Sequence, residues 1–277
     1  MTQEDRLTFL INYLINESVE LRSIEIPTED AAKKRLLRSL MNIRPPKAAA
    51  EEFLEIQNAY LQEERAMKGV LCLADLPSVK SGIYLWQGDI TRLSVDAIVN
   101  AANSALLGCF IPCHGCIDNA IHSAAGVELR LECSRIMEKD QSGQMEGEKN
   151  IFSTCSTKNQ KTEEPAGKAK ITKAYNLPCR YVLHTVGPII YGKVTKQDCE
   201  LLSACYRSCL ELAASYQLKS IAFCCISTGE FHFPNEKAAE IAIQTVQSYQ
   251  KMNPNSPEVV FNVFKDIDYK IYKHLLG

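Results

Sequence analysis

From Leu76-Pro77 onward the chain alternates short apolar runs with amphipathic segments, and no other feature restricts its fold as much. The runs Ile83–Trp86, Ala97–Val99, Tyr181–Val186, Ile221–Ile226 and Val259–Phe264 read as strands, being short, apolar and bounded by turn residues. Apolar residues at helical spacing cover 118–137, 196–216, 235–251 and 268–276. Strands joined through helices run parallel, and strands apolar on both faces must be covered on both. The pattern therefore predicts an α/β fold with a largely parallel sheet between helices. In such sheets ligands bind beyond the carboxyl ends of the strands, so the residues after Val99 and after Ile226 are the first candidates for a site.

Residues 1–76 follow a different rule. Phe53, Ile56, Tyr60 and Met67 fall on one helical face, with Gly69 placed to end that helix. Thr28 after Pro27 is the expected N-cap of a preceding helix that carries Leu36, Leu37, Leu40 and Met41 and stops before Pro45-Pro46. The expected organisation is an N-terminal helical extension, 1–76, packing its apolar faces on a main domain, 77–277. Within that domain 139–167 is polar and without sustained periodicity, and reads as a surface insertion.

Composition narrows the function classes. With 46% hydrophobic and 23% charged residues, the 277-residue chain is of globular type. A net charge of −2 gives no overall attraction to nucleic acid or to an anionic membrane, so any phosphate must be captured by local geometry. No apolar run reaches the roughly 18–20 residues of a membrane span, and the start MTQEDRLTFL has no basic region before an apolar one. The expectation is a cytoplasmic protein with no membrane and no specific nucleic-acid partner. Twelve cysteines, many inside apolar patterns such as Phe223-Cys224-Cys225-Ile226, then read mostly as buried thiols.

Three short segments carry recognisable chemistry. Gln87-Gly88-Asp89-Ile90-Thr91 precedes the second strand, and Asn100-Ala101-Ala102-Asn103-Ser104 ends it. Either fragment alone also fits an ordinary turn, but together they offer a carboxylate for an exocyclic amine and amides along a crevice. Ser227-Thr228-Gly229-Glu230-Phe231-His232-Phe233-Pro234 follows an apolar strand and leads into a helix, so its backbone N–H groups can cradle an anion without a lysine. Phe231 either packs on a sugar or anchors its own loop. A fourth segment places Cys109, Cys113, His114 and Cys116 within eight residues, a soft donor set suited to Zn2+, with chance clustering or a redox-sensitive thiol pair as the alternative. His122 and His184 lie in apolar patterns and read as satisfied core histidines.

In this order the segments resemble macrodomains: GDIT, then NAAN, then ISTGEFHFP. Where that family has glycines after NAAN, this chain has Gly108-Cys109-Phe110-Ile111-Pro112-Cys113-His114-Gly115-Cys116-Ile117-Asp118-Asn119. That loop resembles the zinc-dependent, sirtuin-linked subclass of protein-ADP-ribose hydrolases, G-C-F-x-P-x-H-x-C-I-D-N, as do the MNIRPP and YLQEE stretches of the extension. The resemblance implies a three-layer α/β/α macrodomain with a mostly parallel, mixed central sheet and an N-terminal helical extension. It also implies zinc as cofactor, held by Cys109, His114 and Cys116, with Cys113 a neighbour. Three protein ligands leave a fourth position open, as in catalytic zinc sites; ligation by all four would make a closed, structural one.

The activity so implied is removal of mono-ADP-ribose from modified protein side chains. ADP-ribose would be bound by Asp89, Ile90, Asn103, Ser227, Thr228, Gly229, Glu230, Phe231 and Phe264, and catalysis carried by Asn103 and Asp118. Asp118 otherwise merely caps the helix that starts there. The partners implied are an ADP-ribosylated protein, of which a lipoylated carrier related to the glycine cleavage H protein and modified by a sirtuin-type transferase is one, and ADP-ribose itself. A non-catalytic reader of ADP-ribose is the alternative function, and it needs no open metal site.

Overall fold

The computed structural model describes residues 1–147 and 163–277. Helices α1 (Gln3–Asn16), α2 (Asp30–Ile43) and α3 (Glu51–Lys68) come first. Strands β1 (Leu71–Cys72), β2 (Ser78–Lys80), β3 (Ile83–Gln87), β4 (Leu93–Ser94) and β5 (Ala97–Ala101) follow, then α4 (Ile117–Ala125) and α5 (Val127–Gly147). The chain continues with β6 (Ala169–Lys173), β7 (Tyr181–Thr185), α6 (Lys196–Ser215), β8 (Ser220–Phe223), α7 (Asn235–Met252), β9 (Glu258–Val263) and α8 (Asp266–Leu276). Seven strands form one sheet in the order β2-β3-β9-β8-β5-β7-β6, parallel except for the edge strands β2 and β6. Helices α4 and α5 pack on one face and α6, α7 and α8 on the other, which makes a three-layer α/β/α fold. No helix among the described residues is long and apolar enough to cross a membrane.

The strands without polar alternation are the central ones. Ala97, Ile98, Val99, Val182, Leu183, Ile221, Ala222, Val259 and Val260 are fully buried because helices cover both faces of the sheet. Asn100, in register with His184 across β5 and β7, is equally buried and is the first polar residue of its strand.

Several expectations change. The segment 118–137 is two helices, broken at Gly126, whose φ of 103° suits glycine and whose missing Cβ leaves room for the Gln57 side chain. Glu29, not Thr28, occupies the N-cap of α2, and its side chain makes no capping bond. The three N-terminal helices bury their apolar faces largely against one another, with Leu7, Leu10, Leu14, Leu40, Phe53 and Tyr60 in a core of their own that Val127 joins from α5. Met67, expected on the buried face, is exposed. The polar stretch 139–167 begins as the last turns of α5, and residues 148–162 lie outside the described residues. At its end Glu164 is buried, its N–H bonded to the Ser104 carbonyl and its carboxylate to Lys170, so the stretch is anchored there while Glu163 and Pro165 on either side are exposed.

Candidate active site

The carboxyl ends of β3, β5, β8 and β9 bring the motif residues to one edge of the sheet. After β3, Asp89 caps a 3-10 turn over Ile90–Arg92, its Oδ1 accepting from the Thr91 N–H at 3.0 Å and the Thr91 hydroxyl at 2.7 Å. This uses one carboxylate oxygen and leaves Oδ2 without a bond among the described residues. Phe264, just past β9, is 74% exposed, a ring offered to solvent rather than to the core.

After β8 the chain turns through Ser227, at a φ of 65°, and closes on itself with the Phe233 N–H donating to the Ser227 carbonyl and the His232 N–H to that of Gly229. The N–H groups of Gly229, Glu230 and Phe231 make no hydrogen bond among the described residues. Three consecutive free donors just before α7 are available to an anion. A residue unmarked by sequence reasoning shapes this turn: a Cβ on Gly187 would lie 1.9 Å from Ser227 Oγ. Gly187 also follows a strand end, which was the available signal.

After β5, two amides converge on one acid. Asn100 Nδ2 donates to Asp118 Oδ1 at 2.7 Å and lies 3.2 Å from His184 Nδ1, while Asn103 Nδ2 lies 3.3 Å from Asp118 Oδ2 and 3.0 Å from the Gly108 carbonyl. Burial pushes the Asp118 carboxyl up to about 6, opposed by the Asn100 hydrogen bond and the Arg130 charge. The capping alternative for Asp118 fails: the N-cap is Cys116, whose Sγ accepts from the Asn119 N–H.

His184 is a satisfied core histidine, its Nε2 2.9 Å from Thr172 Oγ1. His122 is not. It is buried, neither ring nitrogen has a hydrogen-bond partner among the described residues, and Nε2 stands 3.4 Å from Asp118 Oδ1, outside hydrogen-bond geometry. The spacing i, i+4 from Asp118 on one helix was the signal for this contact.

The loop ahead of α4 gathers the soft donors. Cys109 Sγ lies 3.6 Å from His114 Nδ1, and the donor atoms of Cys109, His114 and Cys116 all lie within 4.8 Å of one another. Two ligands at about 2.3 and 2.1 Å from a tetrahedral zinc stand about 3.6 Å apart, so the spacing fits that ion, as does a donor set of two thiolates and one imidazole. Cys113 points elsewhere, its Sγ 3.2 Å from Ser39 Oγ and 3.4 Å from the Arg35 carbonyl. The other ring edge of His114 faces the 227–231 turn, with Nε2 3.7 Å from the Glu230 carboxylate. Among the described residues every cysteine is a free thiol, and Cys133, Cys179, Cys205, Cys209 and Cys224 are buried.

The family model for the macro domain matches residues 99–242. A protein-ADP-ribose hydrolase of Treponema medium is 51% identical over 281 residues, covering 100% of each chain. This chain belongs to the macrodomain family. A second protein-ADP-ribose hydrolase, from Staphylococcus aureus strain MSSA476, is 45% identical over 270 residues, which is 97% of this macrodomain and 94% of the relative. Among solved structures, the Trypanosoma brucei macrodomain in complex with ADP-ribose is 29% identical with a TM-score of 0.62, covering 87% of this chain and 95% of that one. The Oceanobacillus iheyensis macrodomain with ADP is 36% identical with a TM-score of 0.57, covering 70% and 89%.

Proposed function

We propose that this macrodomain is a zinc-dependent ADP-ribosylhydrolase that removes mono-ADP-ribose from modified protein side chains. The observation that carries the reading is the position of the donor group Cys109, His114 and Cys116: it ends at the first turn of α4, where Asn103 and Asp118 meet, and faces the turn of free N–H donors through Glu230. The names of the relatives, protein-ADP-ribose hydrolases along nearly their whole length, support the same activity.

In this reading ADP-ribose lies along the strand ends. The free Oδ2 of Asp89 accepts from the adenine amine beside the Ile90 main chain, and Phe264 stacks on the base. The N–H groups of Gly229, Glu230 and Phe231, with the Ser227-Thr228 turn behind them, hold the diphosphate. Asn103 fixes the hydroxyls of the distal ribose, and Asp118 orients the attacking water and takes its proton at Oδ2. When bound between Cys109, His114 and Cys116, zinc supplies Lewis acidity at the distal ribose. The acceptor we propose is a modified protein, the lipoylated carrier implied by the family resemblance being the first to try, in the cytoplasm, where thiol ligands stay reduced.

The test incubates metal-loaded protein with Asp/Glu-, Arg- and Ser-linked mono-ADP-ribosylated proteins, with and without chelator. Release of ADP-ribose from one linkage, abolished by chelator while ADP-ribose still binds, is the expected result. Binding without release from any linkage makes the protein a reader instead.

A further inference from the structure

The MNIRPP stretch of the N-terminal extension has no role in the reaction outlined above, yet its residues are tied to the loop of soft donors. Asn42 is 1% exposed. Its Oδ1 accepts from the Cys113 N–H at 2.9 Å and its Nδ2 donates to Ser123 Oγ at 2.9 Å, joining α2 to both the loop and α4. One turn earlier on α2, Arg38 Nη2 donates to the His114 carbonyl at 3.2 Å, and its Nε and Nη2 reach Asn119 Oδ1 at 3.1 and 2.7 Å. Asn119 in turn donates to the Ile111 carbonyl at 3.0 Å. From the other side the buried Arg130 guanidinium bonds the carbonyls of Met41, Asn42 and Arg44 and also those of Leu107 and Cys109.

The loop has little of its own to keep it in shape. Within 109–116 the His114 N–H bonds the Ile111 carbonyl, and Cys113 holds a φ of 52°, a region that residues other than glycine seldom occupy. Such a conformation persists only where its surroundings determine it. At Cys113 and His114 the determinants come from α2: a side-chain acceptor on the Cys113 N–H and a guanidinium on the carbonyl of a donor residue.

We infer that Asn42 and Arg38 are positioning residues of the metal loop, so that the N-terminal extension serves as the outer shell of the zinc site. The inference rests on the zinc reading above. Neither side chain supplies a ligand atom; Arg38 holds the main-chain carbonyl of the donor His114 and Asn42 the N–H of Cys113 just before it, and loss of partners one shell out from a metal typically weakens its binding by about 10–100-fold.

The test compares zinc affinity, by competition with a chromogenic chelator, in the full-length wild type and in Asn42→Ala, Arg38→Met and Arg6→Ala. Arg6 pairs with Glu63 at 2.6 Å on α1 and α3 and makes no hydrogen bond or ion pair to the loop among the described residues, so its variant removes a contact within the extension without reaching the donors. Asn42→Ala and Arg38→Met are expected to bind zinc about tenfold or more weakly, with Arg6→Ala unchanged. ADP-ribose binding by the metal-free variants checks that each is folded; should Asn42→Ala not fold, Arg38→Met carries the comparison. Zinc affinity within twofold of wild type in the folded variants overturns the inference, as does an equal loss in Arg6→Ala. A wild type that binds no zinc removes the metal reading itself, a result distinct from any difference between variants.

Discussion

Cys109 Sγ and His114 Nδ1 stand 3.6 Å apart, the distance between two ligands of a single tetrahedral zinc. With Cys116 the third donor within reach, and Cys113 turned towards Ser39, zinc content separates the cysteines. Cys109→Ser and Cys116→Ser are expected to lose the metal, and Cys113→Ser to keep it. Metal analysis of the purified variants decides this, and full retention in Cys116→Ser would sink the assignment.

The meeting of Asn103 and Asp118 predicts a division between binding and turnover. Asp118→Ala removes the proton acceptor but leaves the Gly229–Phe231 donors intact, so kcat should fall by about 100-fold or more while ADP-ribose affinity stays within a few-fold. Calorimetric binding and single-turnover release measure the two. Equal losses in both would assign Asp118 to binding alone.

What the sequence made legible depended on how local the cause was. The central strands were readable because Ile98, Val99, Leu183 and Val260 are buried from both sides, a requirement that each run expresses by itself. The edge strands β2 and β6 were not: Ser78–Lys80 is exposed throughout, and Ala169–Lys173 is mostly half-buried, so neither carries an apolar run. The break at Gly126 answers to Gln57, some seventy residues earlier in the chain, and leaves no trace in local periodicity. At the site, the donor loop was visible because its residues are adjacent in sequence. The contact of His122 with Asp118 was passed over because burial of an apolar-flanked histidine is the commoner situation, and here burial and contact occur together.

Gly187 sets the Ser227 turn by having no side chain. In Gly187→Ala the new Cβ forces Ser227 Oγ to rotate and presses on Ile226, an overpacking worth about 1–3 kcal/mol. Ser227 begins the turn of free N–H donors, so ADP-ribose affinity should fall in the folded variant at a temperature well below its lowered Tm. Titration calorimetry alongside thermal melting tests this; unchanged affinity would detach Gly187 from the site.

His184 predicts how stability varies with pH. Burial pushes its imidazole down from 6.5 to about 4, and its Nδ1 and Nε2 face Asn100 and Thr172. The unfolded chain takes up a proton as pH falls through about 6.5, whereas the folded protein does so only near 4, so protonation favours the unfolded state between these values. The contribution is fully present above pH 6.5 and is lost progressively towards pH 4, a gap equivalent to about 3 kcal/mol. His122, also lowered by burial, acts in the same direction, and Asp118, raised by burial, acts against it. His184→Gln keeps the Asp118 contribution and the burial of His122, and removes from His122 only its repulsion by a charged His184. Urea unfolding of the metal-free proteins between pH 7.5 and 4.5 should give a steeper loss for wild type, and parallel curves would mean that His184 takes up its proton equally in the folded and unfolded states.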